Sequence, residues 1–279
     1  MTRVGMVDLS TSHPGIFAPI LAGLGMPVHA VLDPVAAQAF RRRHPGVVVA
    51  GSLAELAGMC DVVMLLGADW DERLGQLTEL AALDVPVFVD KPMAGTAGEL
   101  RELAGLADGP ARIDGGSALR VAPEAVAVRR PGRTAVEVVC GGHPFYYGVH
   151  AVALATAVLG PGLVGARGVA SERAIEGVVH HARGAEIRVA VSAGVAGGFS
   201  VTGPGLPRIE PAAEAFYPAL LRDAMTRLTT PGMDRRPGRE LVECELALLA
   251  MAWSAVNGGD VVALDAVPAA FRPWRGRDR

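Results

Sequence analysis

Val87-Phe88-Val89-Asp90-Lys91-Pro92-Met93 is the stretch whose reading decides the fold. A short apolar run ends in an acid, a base and a proline. A buried parallel strand looks like this when it delivers charged groups to its carboxyl end. In open α/β sheets ligands bind in the crevice outside those ends. Lys91 is therefore placed to meet a substrate or cofactor, with Asp90 and Pro92 beside it. Pro92 fixes φ near about −65° and cannot continue a strand, which stiffens the turn. The competing reading is a solvated loop lysine, and the flanking chain decides between them.

Upstream, apolar strands and amphipathic helices alternate with short connections. Strands are expected at Val4–Val7, Pro27–Leu32, Val47–Val49, Val62–Leu66 and the run ending at Asp90. Between them lie helices from Pro14, through Arg43, around Leu53 and Leu56, and from Trp70 to Leu83. A further helix, Thr96 to Leu106, opens with Thr96 and Glu99 in a capping-box pattern. Continuous apolar strands alternating with helices predict a Rossmann-type doubly wound parallel sheet, covered on both faces. This half is expected to span residues 1–117, breaking near Asp114-Gly115-Gly116-Ser117.

Residues 118–279 change character. A strand at Thr134–Cys140 and a helix at Val149–Leu159 precede glycine-punctuated runs at Arg167–Ser171, Gly177–His181, Glu186–Ser192 and Gly198–Val201. These predict a mainly antiparallel sheet. Two helices follow, Ala213–Leu228 and Arg239–Val256. Asn257-Gly258-Gly259 stops the second before a strand at Val261–Leu264. The expected fold class is α/β, with a C-terminal α+β half.

The chain has 279 residues, 51% of them hydrophobic, and a net charge of −3. Such a balance gives no reason to expect nucleic acid or an anionic membrane surface. Arg41-Arg42-Arg43, Arg235-Arg236 and the last few residues are read as solvated helix faces or tails. Cys60, Cys140 and Cys244 lie far apart and read as reduced, buried thiols of a cytoplasmic protein. Met1-Thr2-Arg3 runs straight into a strand, so no signal peptide is expected. No apolar run reaches the roughly 20 residues of a membrane span. His180 and His181 point to opposite faces of a strand and are read as surface residues, and no metal is expected.

The Asp-Lys-Pro strand end, with the two halves around it, resembles the Gfo/Idh/MocA oxidoreductase family over almost the whole chain. Val89-Asp90-Lys91-Pro92 stands where that family has Glu-Lys-Pro. Cys60-Asp61-Val62-Val63-Met64 is similar to its "vDvV" strand, and Gly148-Val149-His150 to its Gly-x-His segment. Ser254 to Leu264 resembles its closing segment. The resemblance implies an NAD(P)-dependent enzyme that interconverts a hydroxyl and a carbonyl on a small sugar-like or polyol-like molecule. It also implies a homo-oligomer, dimer or tetramer.

In that chemistry Lys91 would favour the charge developing on the substrate oxygen. His150 is the candidate for proton transfer because an unperturbed imidazole titrates near neutrality. The competing reading is a buried histidine bonded to a backbone group. Tyr146 and Tyr147 would line the pocket or donate a hydrogen bond, or simply pack.

Three departures from the family pattern stand out. Where members carry a further Asp and His after the Gly-x-His, this chain has Ala153 and Ala157. The Gly-x-Gly-x-x-Gly fingerprint falls on Asp8-Leu9-Ser10-Thr11-Ser12-His13, with all three glycines replaced. Trp70, Asp71, Glu72 and Arg73 stand near the place of a family histidine. At the first turn the hydroxyls of Ser10, Thr11 and Ser12 and the helix start would hold phosphate. Asp8 would pair with His13 or point away. Gly67, past the fourth strand, belongs to the same cofactor edge. Asp33 ends the second strand, where a carboxylate accepts from a ribose hydroxyl and favours NAD over NADP. Its competing role is a cap before Pro34. The departures keep a second class open: a lyase, isomerase or cyclase, or a silent binding protein on the same fold.

Overall fold

The computed structural model describes residues 1–195 and 198–276. The first sheet contains β1 (Val4–Val7), β2 (Val28–Leu32), β3 (Val48–Val49), β4 (Val62–Leu65), β5 (Val87–Val89) and β6 (Ile113–Gly115). All five pairings are parallel, in the order β3-β2-β1-β4-β5-β6. Strand order reverses between β1 and β4, which opens a crevice at their carboxyl ends. The connecting helices are α1 (His13–Gly23), α2 (Ala37–Arg43), α3 (Leu53–Met59), α4 (Arg73–Ala82) and α5 (Ala97–Asp108). Every residue of β1, β4 and β5 is buried, as unalternating apolar runs require. The expected Thr96–Glu99 capping box opens α5.

Past β6 come a 3-10 turn at Ala118–Val121 and the short helix α6 (Pro123–Val126). The second sheet then uses β7 (Ala135–Gly141), β8 (Leu163–Ala170), β9 (Ala174–His181), β10 (Glu186–Ser192), β11 (Phe199–Gly203), β12 (Leu206–Ile209) and β13 (Val262–Ala263). Their order is β12-β11-β7-β10-β9-β8-β13, antiparallel except where β10 meets β7. Here burial alternates: Ile187, Val189 and Val191 face inward while Glu186 and Arg188 are exposed. Helix α7 (Gly148–Leu159) packs on this sheet, α9 (Gly238–Val256) lies along β8 and against α5, and α8 (Ala213–Thr229) reaches α1.

Several sequence expectations are corrected. The sequence reading had no counterpart to β6 and β12, both very short. Helix α4 starts at Arg73 rather than Trp70, because Asp69 accepts the Asp71 amide at 3.1 Å and holds the preceding residues in a turn. Arg236 is no solvated side chain; it contacts Asp114 at 3.1 Å and Asp223 at 2.6 Å. Arg272, near the chain end, pairs with Asp71 and Glu99 and draws the C-terminal segment back across the first half. His181 is buried and lies 3.0 Å from the Pro161 carbonyl, whereas His180 stays near the surface beside Glu186.

Candidate functional site

The apolar run of β5 ends in Asp90, whose amide still bonds to the Leu65 carbonyl at 3.0 Å. Its side chain therefore emerges at the sheet's carboxyl end. One carboxylate oxygen accepts the Lys91 amide at 2.8 Å, and the other meets Nδ1 of His13. The Asp90 carbonyl accepts from the Arg73 guanidinium, which also donates to the Gly67 carbonyl. Burial raises the Asp90 pKa, but His13, Lys91 and Arg73 outweigh it and hold the group below the usual range. Burial lowers Arg73, against the pull of Asp90 and Asp8. This buried guanidinium ties the ends of β4 and β5 together in the fork geometry that lysine lacks.

Lys91 is 2% exposed. Its peptide bond to Pro92 is cis, and Pro92 is buried beside it. The Lys91 Nζ stands 3.1 Å from the centroid of the Tyr146 ring, a cation–π contact. Tyr147 packs next to it and over Gly142, where a side chain would collide with the ring. His150, two residues into α7, lies within electrostatic reach of Lys91. Its Nδ1 is 2.6 Å from the Ser117 hydroxyl. Burial, then the charge of Lys91, lowers the His150 pKa well below its ordinary value. The imidazole is thus neutral at pH 7, and its partner is a hydroxyl rather than a backbone group. Ala153 and Ala157 are fully buried, with no polar group at either place.

In the first turn Asp8 adopts φ 57° and accepts the Ser10 amide at 2.8 Å. Its carboxylate lies over Gly67, where any Cβ would overlap it. Asp8 therefore does not pair with His13, which is taken by Asp90. Asp33 accepts three backbone amides, Leu9 at 2.7 Å, Val35 at 2.7 Å and Ala36 at 2.6 Å. Burial raises its pKa, yet these bonds keep it lowered. The capping role of Asp33 is thus present, and about one of its roughly four acceptor sites is left for a ligand. Thr11 donates to the Leu66 carbonyl at 3.1 Å and locks the turn to β4. Ser12 makes no cap bond, and Ser10 is exposed.

Ser10, Thr11, Ser12, Tyr146, Tyr147, His143 and Arg173 line one cleft of about 680 Å³ between the two halves. Of the expected residues, the three hydroxyls, Tyr146 and Tyr147 form its walls. Lys91 lies behind Tyr146, and His150, Asp90 and His13 are buried. Asp8, Gly67 and Asp33 support the turn from below. Sequence reading assigned no role to Arg73, Ser117, His143 or Tyr217. A signal existed for His143, which follows the strand ending at Gly141. Tyr217 had none, being one aromatic among the apolar residues of α8.

No family model matches the chain, and no curated protein matches it by sequence. Solved structures do match. GenD2 from gentamicin A biosynthesis, solved with NAD, superposes with TM-score 0.79 at 17% identity, over 94% of this chain and 96% of that one. A putative myo-inositol dehydrogenase from Sinorhizobium meliloti gives 0.78 at 15%, over 95% and 100%. The WlbA dehydrogenase from Thermus thermophilus, solved with NAD and UDP-GlcNAcA, gives 0.71 at 16%, over 89% and 94%. At such identities the likeness establishes the fold.

Proposed function

We propose that this chain is a divergent Gfo/Idh/MocA-type oxidoreductase that uses NAD to interconvert a hydroxyl and a carbonyl on a small sugar-like or polyol-like molecule. Residues 1–117 form the cofactor half and residues 118–279 the substrate half. The observation that carries the reading is Lys91: a buried amine at the carboxyl end of a parallel strand, covered by Tyr146 at the wall of the cleft. Burying an ionisable group there is costly without a task. NAD-bound dehydrogenases among the structural neighbours support the same reading.

The residues present fit a dinucleotide. Asp33 keeps acceptor capacity for a ribose hydroxyl, which favours NAD over NADP. Ser10, Ser12 and the Arg173 guanidinium offer donors to phosphate oxygens across the same cleft. The misplaced charge of Asp8 is turned onto Gly67, with the buried Arg73 near it. When bound, the nicotinamide supplies the hydride chemistry. Lys91 holds the substrate oxygen and stabilises its negative charge. His150 stays neutral and orients the same oxygen. A titration of purified protein with NAD(H), followed by nicotinamide fluorescence, tests the reading: no binding of NAD(H) or NADP(H) sinks it.

The apolar pair Ala153 and Ala157 favours a second reading, a lyase, isomerase or cyclase. Turnover of a sugar substrate with no net change in NADH absorbance would select it. We also take the protein to be a homo-oligomer, dimer or tetramer, since Val169 on β8 and Val261 are exposed apolar residues at the second sheet. Light scattering tests this. Three buried free thiols support a cytoplasmic location. Among the described residues no helix is long and apolar enough to cross a membrane.

A further inference from the structure

An alcohol that becomes a carbonyl must lose its hydroxyl proton, and Ala153 and Ala157 cannot take it. A different set of groups on the Asp90 side of Lys91 has the connectivity for that task. His13 is buried, and Phe17 stacks on its ring at 4.8 Å between centroids, which fixes the ring plane. Its Nδ1 meets the Asp90 carboxylate, and its Nε2 is 3.4 Å from the Tyr217 hydroxyl. An ionised carboxylate only accepts, so Nδ1 carries a proton towards Asp90, and in the neutral imidazole that tautomer leaves Nε2 as the acceptor. The Tyr217 hydroxyl then donates to Nε2 and keeps its own oxygen lone pairs free. Tyr217 comes from α8, in the other half of the molecule. Burial, Asp90, Tyr146 and Tyr147 push its pKa up to about 12. A phenol of that kind loses its proton near neutrality only with a base behind it.

We propose that Asp90, His13 and Tyr217 form a proton relay serving the substrate hydroxyl beside Lys91. This rests on the oxidoreductase reading for the identity of the reacting oxygen. The substrate O–H bond breaks and its proton joins the Tyr217 oxygen. The Tyr217 proton passes to His13 Nε2. The electron pair of the broken bond stays on the substrate oxygen, where Lys91 offsets its charge, and the imidazolium rests on Asp90. Tyr217 is the catalytic residue of the relay; His13 and Asp90 act through it. The separation of 3.4 Å is at the long end for a hydrogen bond, and such contacts tighten when substrate binds.

The test uses Tyr217→Phe, which keeps the ring packed against Phe17 and Phe216, at 5.6 Å and 4.6 Å between centroids. Nitrogen-15 NMR of histidine-labelled protein should show His13 protonated at Nδ1 and bare at Nε2. The Nε2 resonance should move when the phenol is lost. Turnover on a polyol and sugar panel should fall about 100-fold or more, with KM and NAD affinity within about twofold of wild type. An unmoved Nε2 resonance, a proton on Nε2, or full turnover overturns the relay. A wild-type protein that binds no nicotinamide cofactor sinks the oxidoreductase reading instead, and the NMR arm still decides the hydrogen-bonded relay.

Discussion

His13 and His150 stand in corresponding places in the two halves. Each lies in the first turn of a helix, α1 or α7, and they are 6% and 8% exposed. Their partners differ. His13 has the Asp90 carboxylate on one nitrogen and a phenol near the other. His150 has the Ser117 hydroxyl, and its burial and then the Lys91 charge depress it. Two histidines at the start of their helices therefore have different chemistry. One is held between a carboxylate and a phenol, and the other meets a hydroxyl.

Removing the charge that both sites share breaks the comparison most severely. Lys91→Ala should cost about 10²–10³-fold in turnover, the usual loss for a group that stabilises a developing oxyanion. It should also raise the His150 titration seen by NMR, since one of its depressing charges is gone. Unchanged turnover would remove Lys91 from the site.

Asp90→Asn erases the feature that sets His13 apart. Leaving buried cations without their partner should destabilise the fold by about 3–5 kcal/mol, read in urea at pH 7. The pH dependence has a definite sign. The folded pKa of Asp90 is lowered, so its stabilisation is present above the unfolded value of about 3.9 and is lost as pH falls through the lower folded one. The Asn variant should lack that acid limb.

Glu245 on α9 extends the comparison to a carboxyl group. It is fully buried; one oxygen accepts the Met93 amide at 3.3 Å. Burial pushes its pKa up to about 7 from 4.5. The unfolded chain ionises first, so stability is full below pH 4.5 and is lost as pH rises to about 7. The loss is on the order of 3 kcal/mol. Glu245→Gln should flatten this limb between about pH 5 and 8, and an unaltered slope would assign it to another group.

The smallest effect belongs to His150→Phe. A depressed imidazole loses stability as pH falls below its unfolded value of about 6.5. The variant should resist mild acid better than wild type in thermal melts from pH 7 to 5.

The order of elements was readable because strand and helix periods are local. Val62 to Leu65 and Val87 to Val89 have no polar residue to place at a surface, so both faces must be covered. The Asp90-Lys91-Pro92 end follows from the same pattern. Edges were harder: β12 (Leu206–Ile209) buries only its two end residues, which is neither an apolar run nor an alternation. The titration of His150 was not legible, because it depends on burial and on Lys91, which lies 59 positions away in sequence.

The sequence by itself determined the parallel sheet, the capping box at Thr96 and Glu99, and the delivery of Lys91 to a strand's carboxyl end. Each rests on residues within one turn or one strand of each other. Only the tertiary structure decided that His13 takes Asp90 rather than Asp8, across 77 positions, and that Tyr217 reaches it across 204. Hydrogen bonds and ion pairs act over a few ångströms, and no local pattern states which distant side chains packing will bring that close.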